Sequence, residues 1–270
     1  LKEVEEKSKK LALGLNVKGL LNIQFAIKDE ELFILEANPR ASRTMPFVAK
    51  VTGNQIIKAG TLLMLGYSID EVRNKTKYLS SSSNKVAIKK AIFPWSRFPA
   101  EDTMLGPEMK ATGEVLGVGK EFGTALNKAY AAAGVEINNK EKGIFVTLSD
   151  SEKPNFIQTV NKYLELGFTL YSTEGTGKFL KTNGIDSVIV GKADDLGQTS
   201  LTIIEDKLVS LVINTPTYAN ELSDGWKIRR LSHETGVAVV SSVREANAFI
   251  EAFLNQNLVL DDLEVIQDVS

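Results

Sequence analysis

The chain has 270 residues, with 32 lysines and arginines against 34 aspartates and glutamates and a formal net charge of -2. That length suits two domains with separate cores, and the near-balanced charge argues against a nucleic-acid-binding or anionic-membrane surface. With no cysteine and one histidine, His233, disulfides, thiolate metal sites, cysteine nucleophiles and multi-histidine metal centres are excluded. The lack of cysteine fits a reducing compartment, so a cytoplasmic location is expected. No apolar run approaches the roughly 20 residues that cross a bilayer. Residues 1–10 are charged with no apolar block behind them, unlike a signal peptide. The first residue is Leu1 rather than Met, which leads to the expectation of a chain that begins inside a longer protein.

Leu1, Val4, Leu11 and Leu13 among charges predict an amphipathic helix ending near Gly14. Two extended runs, 19–27 and 31–36, flank the polar turn Lys28-Asp29-Glu30 and predict a hairpin that Asn38-Pro39-Arg40 ends. A helical pattern returns after Pro46 and reaches Gly66, and Ser80–Asn84 reads as a flexible loop. A Pro/Gly-punctuated stretch runs from Phe93-Pro94 through Gly106-Pro107 to Gly119, and a small-residue helix over 124–133 closes this part. Beyond it, apolar β-rich runs at 143–148, 168–173, 187–190, 208–213 and 237–240 alternate with helical segments near 154–166, 176–183, 197–206, 221–235 and 243–255. That alternation predicts an α/β fold, a doubly wound parallel sheet covered by helices on both faces. The polar segment 136–142 divides the chain into parts 1–136 and 137–270.

Gln24, Glu36 and Asn38 carry oxygen donors near the end of the hairpin. Glu36 and Asn38 are two apart, so an extended backbone turns both to one face, and Gln24 on the paired strand can face them. Carboxylate and amide oxygens suit a hard cation such as Mg²⁺ or Mn²⁺ bridging nucleotide phosphates. Arg40 and Arg43 follow with fixed positive charge, suited to phosphoryl oxygens. Spacing alone also fits a solvated strand end followed by a turn, and leaves both readings open.

The run Gln24-Phe-Ala to Ile34-Leu-Glu-Ala-Asn-Pro-Arg-Ala-Ser-Arg-Thr44 strongly resembles the C-terminal end of an ATP-grasp domain, specifically that of the carbamoyl-phosphate synthetase large subunit. Leu105-Gly-Pro-Glu-Met-Lys-Ala-Thr-Gly-Glu-Val115 resembles a second motif of that family. The resemblance extends over essentially the whole chain. It implies antiparallel strands with helices over 1–136, then a methylglyoxal-synthase-like allosteric domain over 137–270. It further implies that Gln24, Glu36 and Asn38 ligate Mg²⁺ or Mn²⁺, that Gln24 and Glu36 meet ATP, and that Arg40 and Arg43 stabilise charge in transfer. The implied activity is that of an ATP-dependent ligase making carbamoyl phosphate from bicarbonate, glutamine-derived ammonia and two ATP, for pyrimidine and arginine biosynthesis. The implied partner is a glutaminase small subunit. Only about 16 residues precede the hairpin, too few for a phosphate loop and an adenine clamp, so the chain alone is expected to be inactive.

In the second part, Thr173-Glu-Gly-Thr176-Gly-Lys follows a strand and opens a helix, exposing backbone N–H groups suited to phosphate. Lys153, Lys192, Asn214 and Thr215 follow three other strands, and in a doubly wound sheet all these positions meet at the carboxyl edge. By resemblance, Lys153, Thr173, Thr176, Lys192, Asn214 and Thr215 form a pocket for a nucleoside monophosphate effector, UMP or IMP. Pro216 departs from the hydroxyl residue usual in that family. Lys90 stands where ornithine-activated members carry a glutamate, which implies weak or absent ornithine activation.

Three alternatives stay open. A methylglyoxal-synthase-type lyase needs an aspartate base and a histidine, for which Asp194, Asp195 and His233 are the candidates. Another ATP-grasp ligase shares the Glu36 and Asn38 pattern but lacks the second part. A nucleotide-binding regulatory module without catalysis needs only the pocket. Elsewhere, Trp95 and Trp226 read as packing residues and Lys89-Lys90 as a solvated face.

Overall fold

The computed structural model describes residues 1–77, 85–93, 95, 103, 109, 111–135, 137, 143–215 and 223–255. Ser80–Asn84, the Gly106-Pro107 segment and Pro216 lie outside them, as do positions 105–108 and 110 of the second motif. The chain divides into two compact units: one holds the elements before residue 85, the other everything from 85 to 255. The boundary read at 136–142 falls within the second unit.

In the first unit, α1 (Lys2–Gly14) precedes the antiparallel hairpin β1 (Asn22–Lys28) and β2 (Glu31–Asn38). Asp29 and Glu30 take positive φ values of 49° and 64° in the turn, the left-handed geometry of tight hairpin connections. A bulge between Gln24 and Phe25 shifts the register. The single helical pattern after Pro46 resolves into α2 (Thr44–Thr52) and α3 (Ile56–Met64). Gly53, at φ 68°, takes the left-handed conformation that terminates α2. A short α4 (Ile69–Lys75) follows, begun by a capping box between Ser68 and Glu71.

The second unit opens on an antiparallel pair, β3 (Val86–Ile92) and β4 (Gly113–Gly119), and α5 (Phe122–Ala132) packs on both. The sequence reading had a punctuated stretch here. Its glycines serve close packing: a Cβ at Gly117 would stand 2.1 Å from the Ala125 carbonyl oxygen and 2.6 Å from the Ala129 nitrogen. α5 is also tied forward, since Asn127 Nδ2 donates to the Ala252 carbonyl at 2.7 Å.

The rest is the doubly wound fold expected. β5 (Gly143–Thr147), β6 (Leu170–Thr173), β7 (Val188–Val190), β8 (Val209–Asn214) and β9 (Ala238–Val240) form a parallel sheet in the order β7-β6-β5-β8-β9. The helices between them are α6 (Lys153–Glu165), α7 (Glu174–Thr182), α8 (Thr202–Glu205) and α9 (Asp224–Thr235), and α10 (Val243–Leu254) follows β9. Strand alternation separates two cores. Ile144, Val146, Leu211 and Ile213 face Phe156, Tyr163, Leu180, Phe249 and Phe253 on one side. Phe145 and Val212 face Ile203, Ile204 and Ile228 on the other. Strand order reverses at β5, which places the topological switch point between β5 and β8, where ligands collect at the carboxyl edge. Among the described residues no helix is long and apolar enough to cross a membrane.

Candidate functional site

Two constellations stand out, one in each unit. On the hairpin, Gln24 lies directly opposite Glu36, and Asn22 directly opposite Asn38. Cross-strand partners share a face, and so do residues two apart. The four oxygen-bearing side chains therefore gather at one end of one face, ahead of the bulge. Asn38 Nδ2 donates to Glu36 Oε1 at 2.9 Å, leaving Asn38 Oδ1 and Glu36 Oε2 as acceptors. Asn22 is a member that the sequence reading passed over, and strand pairing was the missing information. Among the described residues no three His, Cys, Asp or Glu side chains cluster. The donor set here is one carboxylate with amides, which suits a hard ion that arrives with phosphate oxygens of its own.

Arg40 follows at the chain's exit from the strand. Its amide donates to the Asn38 carbonyl at 2.8 Å, and its guanidinium donates to the Ala41 carbonyl at 3.0 Å. Arg43 is the residue preceding α2, and both arginines are exposed.

In the sheet unit, hydroxyl groups stitch three strand ends together. Thr176, 2% exposed in the first turn of α7, accepts from the Leu148 amide at 3.1 Å, and Thr173 donates to it at 3.3 Å. Thr215, after β8, accepts from the Ser149 amide at 2.8 Å, while its own amide donates to the Thr147 carbonyl at 3.1 Å. The ends of β6 and β8 thus both anchor on the loop after β5. Lys153 opens α6, and its Nζ lies 2.6 Å from Asp150 Oδ1. That contact holds the Asp150 carboxyl below the usual carboxylate range. Lys192 follows β7, and its charge helps Lys178, the main cause, to hold the Glu174 carboxyl at the start of α7 below its usual range.

Asn214, 3% exposed at the end of β8, is held by a residue outside the set that the sequence singled out at this edge. Arg229, 5% exposed on α9, donates from Nη1 to Asn214 Oδ1 at 2.7 Å. Thr147 at the end of β5 and Ser149 in the loop after it were likewise passed over, although hydroxyls at a strand end were signal enough.

The lyase candidates do not converge in this way. Asp194 is gripped by Lys227 Nζ at 2.7 and 2.8 Å, and Asp195 accepts from the Lys192 amide at 2.7 Å. His233 stands in the last turn of α9 with its ring 5.8 Å from that of Trp95. That is about 13 Å along the helix from its first residue at the sheet edge. Trp95 itself is buried and stacks on Phe93 at 5.1 Å, as a packing residue should. Lys89 meets Glu114 at 3.2 Å. Lys90 is not part of a solvated face: it is half-buried with Nζ 4.0 Å from the centroid of the Tyr130 ring.

Residues 1–72 match the family model of the carbamoyl-phosphate synthase L chain, ATP binding domain, and residues 155–241 match that of the MGS-like domain. The chain thus joins part of an ATP-binding domain of that class to an MGS-like domain. In sequence it is a relative of carbamoyl phosphate synthase large chains. It is 38% identical over 266 residues to the C-terminal section from Aquifex aeolicus, which covers 93% of this chain and 49% of that protein. Identity to the C-terminal section from Methanocaldococcus jannaschii is 39%, covering 90% of this chain and 40% of the relative. For the large chain of Brucella suis biovar 1 it is 40%, covering 93% and 22%. The chain therefore spans about half the length of these curated relatives, or less.

Proposed function

We propose that the chain forms the C-terminal portion of a glutamine-dependent carbamoyl-phosphate synthase, an ATP-dependent ligase. Its first part supplies ligands for the ATP that phosphorylates carbamate, and its second part is an allosteric domain for a nucleoside monophosphate, UMP or IMP. The observation that carries the reading is the set Gln24, Glu36 and Asn38 on one hairpin face, inside the segment matched to an ATP-binding domain. Glu36 Oε2 and the amide oxygens of Gln24 and Asn38 would hold Mg²⁺ or Mn²⁺. Bound there, the ion supplies charge neutralisation between two anionic reactants. Arg40 and Arg43 add fixed positive charge, and no covalent step falls to the protein. A glutaminase small subunit would deliver ammonia.

The regulatory half of the proposal rests on Thr173, Thr176, Asn214 and Thr215 at the carboxyl edge of the sheet, with Lys153 and Lys192 at its rim. The lyase alternative is disfavoured by the distance of His233 from that edge. The test is ATP-dependent carbamoyl phosphate synthesis, with bicarbonate and ammonia, by this sequence within a complete large chain. Glu36→Gln should lower the rate by about a hundredfold or more; an undiminished rate would remove the hairpin from the active site.

A further inference from the structure

Asn214 and Arg229 make a pair whose chemistry says which way the amide points. A guanidinium has donors only, so the group of Asn214 that lies 2.7 Å from Arg229 Nη1 is the carbonyl oxygen. Both residues are almost wholly buried, at 3% and 5% exposure, and α9 packs on β8 and β9. An amide held in this way cannot turn over without setting N–H against N–H in a poorly solvated place, which is costly. Asn214 Oδ1 is thereby engaged, and Nδ2, which bonds to no described residue, is the end left for a ligand. Space for the pair is kept by Gly225 in the first turn of α9. A Cβ there would stand 3.2 Å from Arg229 Nη1 and 3.5 Å from Asn214 Nδ2.

We infer that Arg229 is a positioning residue for the effector pocket: it locks Asn214 with its N–H donors outward, so that the pocket selects a ligand group made of acceptors only, such as a phosphate. Arg229 touches no ligand in this scheme and acts through Asn214. The inference rests on the reading of this edge as a nucleoside monophosphate site.

The test is a double-mutant cycle with UMP, IMP and inorganic phosphate as probes, read by calorimetry. Arg229→Met should weaken binding about tenfold in the otherwise unchanged protein, and less than about twofold when Asn214 is already alanine. A purely structural role would weaken both backgrounds alike. Arg229→Lys, which keeps a donor and a charge, should recover part of the affinity, and serves also if the methionine variant does not fold. Additive losses, or unchanged affinity, would overturn the role of Arg229 while leaving the pocket in place. Failure of the unmodified protein to bind any of the three probes would remove the pocket, and the inference with it.

Discussion

Lys90 Nζ stands 4.0 Å above the Tyr130 ring, joining β3 to α5 through a cation and a π face. Burial pulls this ammonium below the usual lysine range, and the charge of Glu245 offsets part of that pull. A diffusible amine would find a resident one already in this place. Millimolar ornithine should therefore leave the melting temperature unmoved in differential scanning fluorimetry. A clear upward shift would show that Lys90 does not exclude it. Lys90→Met should change stability by no more than about 1 kcal/mol, because the lost cation–π contact is offset by relief of desolvation.

Thr176→Ala leaves the Leu148 amide without its side-chain acceptor at a site only 2% exposed. Urea denaturation should report a loss of about 1–3 kcal/mol, and calorimetry a parallel loss of UMP and IMP affinity. Thr176→Ser keeps the oxygen and should recover most of both. Equal nucleotide affinities for alanine and threonine would move the pocket away from this turn.

His233 gives the chain an acid-sensitive element. Burial, then the charges of Lys90, Arg230 and Arg229, push its pKa down to about 4, although part of the residue stays exposed. The unfolded chain takes up this proton near pH 6.5, before the folded one does. Between about pH 6.5 and 4 the unfolded state therefore binds more protons, and stability falls as the pH falls through that window. His233→Gln should flatten this limb of the pH profile in chemical denaturation. An unchanged slope would mean that the ring is not confined as the contact with Trp95 indicates.

Gly117→Ala should be among the most damaging single-methyl changes in the molecule. The added carbon would meet backbone atoms of α5 at 2.1 and 2.6 Å, and backbone cannot swing aside as a side chain can. Overpacking of this kind costs about 1–3 kcal/mol, measurable as a lower denaturation midpoint. A neutral outcome would contradict the close approach of β4 to α5.

The sheet was legible because buried parallel strands are continuous apolar runs: 143–148, 208–213 and 237–240 differ from β5, β8 and β9 by a residue at one or both ends. The hairpin donors were legible for a similar reason, since their spacing is local. β4 was not, because Gly113, Gly117 and Gly119 interrupt the alternation that marks a strand, and the purpose of Gly117 and Gly119 shows only once α5 lies against them. The break at Gly53 was present in the sequence but was overridden by the apolar pattern on either side. Arg229 was hidden for a deeper reason. A charged residue on a helix reads as solvated, and its burial depends on an asparagine 15 residues earlier that only the fold brings near.

The contact of β4 with α5 runs from backbone to backbone at Gly117, with no cushion of flexible side chains between. Such a seam has little room to slide and can only shift whole. β3, β4 and α5 thus form a stiff plate bearing Lys90 at one margin and Asn127 at another, where it is latched to α10. Through α5, α10 is therefore linked by direct packing to both β3 and β4.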